Sequence, residues 1–223
     1  MLNEVEVRIL GCLIEKEITT PEYYPLTLHS LTGACNQKSN RCPIVSYDEN
    51  TVAHWLEELR KKGIVQSINT PSSRAVKYRH SFLEEFRLIP SEAVILCELM
   101  LRGPQTMGEI RAHTERMYAF RGQDEIEETL RGVMERDEPL IIKLQRQSGK
   151  KEARYMHMLS GIPGKQEMDQ DASAIGSGQQ YLTDNERIGK LEEELLALRR
   201  ELDGLRNSFE EFRAQCHKKE NYS

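Results

Sequence analysis

The chain has 223 residues, of which 38% are hydrophobic and 30% charged, and its formal net charge is −5. That length exceeds one small module and suits two compact domains of roughly 80 residues plus an appendage. Apolar content at this level excludes disorder throughout, and no stretch approaches the roughly 18 uninterrupted apolar residues of a membrane span. The charge is uneven: residues 1–80 carry ten Lys/Arg against nine Asp/Glu, and residues 161–223 carry nine against thirteen. A near-neutral first half and an acidic tail argue against strong non-specific DNA affinity, while leaving room for a local basic patch.

The start, Met1-Leu2-Asn3-Glu4-Val5-Glu6, is acidic where a secretory signal would be basic. The five cysteines (Cys12, Cys35, Cys42, Cys97, Cys216) are odd in number and never form a C-x-x-C pair. Both features lead us to expect reduced thiols in a cytoplasmic protein, with Cys12 and Cys97 in core helical runs.

Taken in chain order, residues 2–17 place Ile9, Leu10, Leu13 and Ile14 at helical spacing, with Glu4, Arg8 and Glu15 on the opposite face. Thr20-Pro21 stops this helix, and Pro25 to about Gln37 reads as a second one. A polar connector, Asn36 to Pro43, leads to a third helix. Its opening reads as a capping box of Ser46 and Glu49, its buried face as Val52, Trp55, Leu56 and Leu59, and its stop as Gly63. Ile64–Asn69 and Ala75–His80 then read as a hairpin joined by Thr70-Pro71-Ser72-Ser73.

Residues 90–158 repeat this order. Glu6 to Leu13 runs parallel to Glu92 to Leu99, which sets Thr20 against Thr106 at the same offset. Pro90 opens a helix, Thr106 and Glu109 form a capping box, and Gly149 lies in the hairpin turn. Arg74 to His80 aligns with Lys151 to His157, keeping a basic residue, Tyr and His in register. Three helices closed by a hairpin, twice over, predict a mainly α (α+β) fold of two tandem winged-helix (helix-turn-helix) domains, residues 1–85 and 86–160.

Four strings, Thr20-Pro21-Glu22-Tyr23-Tyr24-Pro25-Leu26, Ala34-Cys35-Asn36-Gln37-Lys38-Ser39-Asn40-Arg41, Leu101-Arg102-Gly103-Pro104-Gln105-Thr106 and Arg154-Tyr155-Met156-His157, resemble the bacterial YceH family in their order. The resemblance spans residues 1 to about 161. It implies a tandem winged-helix fold in a Gram-negative cytoplasm and supplies no catalytic residues. Cys42, where an acidic residue is expected, and Ser148-Gly149-Lys150-Lys151, in place of a Pro-Gly-Arg-like turn, depart from the family pattern.

Residues 161–182, punctuated by Gly161, Gly164, Gly176 and Gly178, read as a linker. Residues 183–216 read as a coiled-coil helix opened by Thr183 and Glu186. Ile188, Leu195, Leu202 and Phe209 fill one heptad position, and Leu191, Leu198, Leu205 and Phe212 fill the other. This seam predicts a homodimer, with a trimer left open by leucine at both positions.

The candidate nucleic-acid contacts are Lys38 and Arg41 in the connector, Arg74, Lys77 and Arg79 in the first wing, and Lys150, Lys151 and Arg154 in the second. The third helices weaken that reading, because Glu49, Glu57 and Glu58 in the first, and Asp124, Glu125, Glu127 and Glu128 in the second, would repel phosphates. The first reading is nonetheless a non-enzymatic, dimeric nucleic-acid-binding protein, a regulator that contacts DNA through its first winged-helix unit; the alternative is a protein-interaction adaptor with the winged helices as docking surfaces. A continuous basic stripe through Lys38, Arg41, Lys77 and Arg79 would favour the first, and a broken one the second. There is no Gly-rich phosphate loop and no H-E-x-x-H, and the six histidines are scattered. No enzyme, cofactor or metal site is expected.

Overall fold

A computed structural model describes residues 1–69, 75–146 and 152–161. Apart from Gly161, the expected linker, the coiled-coil seam, both hairpin turns and the candidates Arg74, Lys150 and Lys151 lie outside the described residues. The first half runs α1 (Glu4–Thr19), a 3-10 turn (Pro21–Tyr23), β1 (Leu26–Thr27), α2 (Leu28–Cys35), α3 (Glu49–Lys61), β2 (Val65–Ile68) and β3 (Lys77–His80). After a short helix α4 (Phe82–Glu85) come α5 (Pro90–Arg102), β4 (Gln105–Thr106), α6 (Met107–Thr114), α7 (Gln123–Met134), β5 (Ile141–Lys143) and β6 (Arg154–His157). The fold is mixed, with helices packed against two small antiparallel sheets. None of the described helices is long and apolar enough to cross a membrane.

The two halves share one topology. Each has a three-stranded sheet with its last strand in the middle, in the orders β1-β3-β2 and β4-β6-β5. Leu26 pairs with Tyr78 as Gln105 pairs with Tyr155, and Val65 pairs with His80 as Ile141 pairs with His157. Tyr78 and Tyr155 therefore hold equivalent places, at the spacing read from the hairpins.

The same pairing corrects three local readings. The second helix begins at Leu28 and not Pro25, because Leu26 and Thr27 are taken up as a strand against Tyr78 and Lys77. Two residues are too few to leave a period-two signal. Thr27, whose side chain caps the Ser30 N–H, is then the counterpart of Thr106, which caps Glu109; Thr20 instead ends α1. The third helix opens on Asp48 Oδ1, which accepts from the Thr51 N–H at 2.6 Å, so Glu49 is its first residue rather than the partner of Ser46. Ser46 lies two residues before Asp48, which holds the cap position with its extended backbone.

The largest difference concerns α1. Of its expected solvent face Glu4 is exposed, but Arg8 and Glu15 are buried, 4% and 0% exposed. α1 packs on α2 and α3 of its own half and on α5 of the other, so side chains on both of its sides leave water. At the crossing Gly11 faces Leu101 and Met100, and Cys97 Sγ donates to the Gly11 carbonyl at 3.3 Å. One continuous apolar cluster consequently runs from Val7 to Leu159.

Candidate interface and the polar interlock behind it

The connector between α2 and α3 is held from several sides. Asn36 exchanges two hydrogen bonds with the backbone of Tyr47, at 2.7 and 2.8 Å. Arg8 Nη2 donates to the Pro43 carbonyl at 2.7 Å, and the Cys42 N–H donates to the Leu101 carbonyl at 2.9 Å. These contacts turn a polar, loop-like sequence into a fixed segment wedged between α1 and α5.

Arg41 is the centre of that wedge. Its side chain is fully buried and grips Glu15 bidentately, Nη1 to Oε1 at 3.0 Å and Nη2 to Oε2 at 2.5 Å, and it also donates to the Ala34 and Asn40 carbonyls and to Gln37. From the other half, Arg116 Nη2 reaches Glu15 Oε1 at 2.5 Å. Burial alone would raise the Glu15 carboxyl. The hydrogen bonds and charge of Arg41, helped by Arg116, overcome that and hold it at about 2.

A second carboxylate, Glu98 on α5, is fully buried. Arg102 Nε lies 2.9 Å from its Oε1 without aiming its N–H along the contact, so neither Glu98 oxygen accepts a hydrogen bond. Burial raises this carboxyl above the ordinary glutamate range, against the pull of Arg102 and Arg116.

The placement of the candidate nucleic-acid contacts follows. Arg41 is withdrawn from the surface, because its guanidinium neutralises Glu15; a sequence shows a cation in a polar loop, not the carboxylate waiting 26 residues upstream. Lys38 is exposed. Lys77 and Arg79 are half-buried on β3, with Arg79 Nε donating to Gln66 Oε1 at 3.1 Å. Arg154 is half-buried on β6 of the other half. Of the four residues of a candidate basic stripe, Lys38, Arg41, Lys77 and Arg79, Arg41 is thus withdrawn from the surface.

Other cations are engaged as well. On α3, Arg60 pairs with Glu57 and Lys61 with Glu58, at 2.5 and 2.7 Å, while Lys62 crosses to Glu6 at 2.6 Å. The face of α3 exposes Glu49, Asn50, His54 and Glu57, and that of α7 exposes Asp124, Glu127 and Glu128. α7 carries four carboxylates, Asp124, Glu125, Glu127 and Glu128, against Arg131. Among the described residues no cluster of three or more His, Cys, Asp or Glu side chains could hold a metal ion.

A family model described as "Protein of unknown function, DUF480" matches residues 2–150. The chain belongs to the DUF480 family. Relatives bearing the name UPF0502 protein include one from Geobacter metallireducens, 48% identical with 96% of this chain and 98% of the relative covered. Others come from Pelobacter propionicus, at 47% with 96% and 98% covered, and Geobacter sulfurreducens, at 48% with the same coverage. Membership in this bacterial family agrees with the resemblance carried by the four residue strings, and the likeness to the relatives extends over nearly the whole chain, tail included.

Proposed function

We propose that this DUF480 protein is a non-enzymatic docking adaptor, built from two winged-helix units, that presents acidic third helices to a basic surface of a protein partner. The observation that carries this reading is the state of the charges: α7 exposes Asp124, Glu127 and Glu128 and α3 exposes Glu49 and Glu57, while Arg41 is buried on Glu15 and the surface cations Arg60, Lys61 and Lys62 are paired with Glu57, Glu58 and Glu6. In a helix-turn-helix reader the third helix enters the major groove. Carboxylates there would repel the phosphates on either side, whereas they suit a cationic protein patch.

A second reading, nucleic-acid binding by the first unit, is supported by Lys77 and Arg79 on β3, the central strand of the first sheet, and by the exposed Lys38. One experiment separates the two. Full-length protein is used to capture partners from bacterial lysate with and without nuclease, beside Glu127→Lys/Glu128→Lys and Lys77→Ala/Arg79→Ala variants. The adaptor reading expects a retained protein that survives nuclease and is lost with the α7 charge reversal. A retained species destroyed by nuclease and lost with the β3 variant, with log affinity falling linearly in log salt, replaces it with the nucleic-acid reading.

A further inference from the structure

An open cleft of about 450 Å³ lies where the connector of the first half meets α5 and α6 of the second, lined by Asn40, Arg102, Ala112, His113, Glu115 and Arg116. We propose that this cleft is a binding site for a small phosphate-bearing anion, gripped by the two arginines and His113. It is independent of the acidic helix faces and of the partner they dock.

The arginines are held in the manner of an oxyanion site. Arg102 is fixed from behind by Glu98, 2.9 Å from its Nε, and from the side by Asn40 Oδ1, 2.5 Å from its Nη2. Arg116 is fixed by Glu15 through Nη2 alone. Arg102 Nη1, and Nε and Nη1 of Arg116, have no acceptor among the described residues. Two guanidinium groups with their conformations fixed and their other N–H groups unspent cost little entropy on binding, and their planar forks match phosphate oxygens.

His113 adds a third polar group of defined tautomer. Gln105 Nε2 donates to the Glu98 and Gly103 carbonyls at 3.2 and 3.5 Å, which leaves its Oε1 as the acceptor 2.6 Å from His113 Nδ1. Nδ1 therefore carries the proton and Nε2 is the ring atom left without a partner. A neutral Nε2 accepts the P–OH of a singly protonated phosphate or takes its proton, and either outcome leaves the anion hydrogen-bonded.

The charge of the site agrees. Arg102 and Arg116 stand against Glu115 in the lining, a formal balance of two positive and one negative charge. Behind it Arg41 offsets Glu15, and burial raises the Glu98 carboxyl against the pull of Arg102. The lining itself thus carries an excess of positive charge in a molecule of net charge −5. Its volume lies in the range of small-molecule sites, roughly 300 to 1,000 Å³.

The test is a titration of the full chain with inorganic phosphate, and separately with glycerol phosphate and acetate, followed by calorimetry and phosphorus NMR at constant ionic strength. Saturable phosphate binding is expected, with acetate a weak competitor. Arg116→Gln should weaken binding about tenfold or more, as for loss of a charge-assisted hydrogen bond. Two further variants touch no described ion pair: Ala112→Glu, at an exposed position of the lining, should weaken binding, and Glu115→Gln should tighten it. A tightening cannot arise from misfolding. Absence of saturable phosphate binding overturns the proposal, as does binding indifferent to Ala112→Glu and Glu115→Gln. Equal competition by acetate would overturn the preference for phosphate.

Discussion

Glu15 and His157 make the same kind of contribution by different means. Glu15 falls from an ordinary 4.5 to about 2 because its partners outweigh its burial; His157, 7% exposed and with Nδ1 unpartnered, falls from 6.5 to about 4 through burial alone. For either group the folded pKa is the lower one, so stability is complete above the unfolded pKa and is lost as pH falls through the folded one. Acid should therefore weaken the fold in two stages, from about 6.5 to 4 through His157 and from about 4.5 to 2 through Glu15. The first stage is worth at most about 3 kcal/mol. Urea melts across this range should show His157→Phe flattening the upper stage; parallel losses in wild type and variant would refute the assignment. Glu98 has the opposite sign. Its folded pKa is raised, so its charge destabilises as pH climbs past the ordinary glutamate value. Glu98→Gln, which mimics the protonated acid, should gain stability relative to wild type as pH rises from 4.5 to neutrality, and a constant difference across that range would contradict this.

At the scale of elements, α1 decides most. A Cβ built on Gly11 would stand 2.9 Å from Leu101 Cδ2 and 3.3 Å from Met100 Cβ, so the glycine lets α1 and α5 approach. Gly11→Ala gains about 1 kcal/mol of helix propensity, but overpacking costs about 1 to 3 kcal/mol, for a net loss of up to about 2 kcal/mol. Gly33, on the exposed side of α2, has nothing within 4 Å of its Cβ direction, and Gly33→Ala should stabilise by about 0.5 to 1 kcal/mol. Thermal melts of the two variants should move in opposite directions; a shared direction would mean that propensity or packing alone governs both. Most element boundaries were legible because caps and stops are local: Pro90, Thr106 with Glu109, and Gly63 at φ 78° act within a turn of the chain. β1 and β4 were not, because strands of two residues exist through their pairing with β3 and β6.

For the whole molecule, the seam from Ile188 to Phe212 lies outside the described residues and rests on its heptads. With Ile188 at position a, Glu194 and Glu201 at g precede Arg199 and Arg206 at e by five residues, a pattern that favours a parallel pair. Each such exposed pair contributes only about 0.2 to 1 kcal/mol, so orientation comes from charge and affinity from the eight apolar seam residues. Sedimentation should find the full chain dimeric at micromolar concentration and a chain ending at Gly178 monomeric. Two monomers would leave the heptad stripe without a partner chain.

The sequence by itself determined the repeat, the family and the cores of the helices, because periodicity, caps and the matching of Tyr78 with Tyr155 are written in neighbouring residues. Only the tertiary structure decided which charges face water. Arg8, Glu15 and Arg41 look like surface groups in any local window; burial of α1 between its own half and α5 turned them into the interlock and withdrew Arg41 from the surface. The cleft beside Arg102 and Arg116 was invisible for the same reason. Its residues are drawn from position 40 and positions 102 to 116, and only the packing of the two halves brings them together.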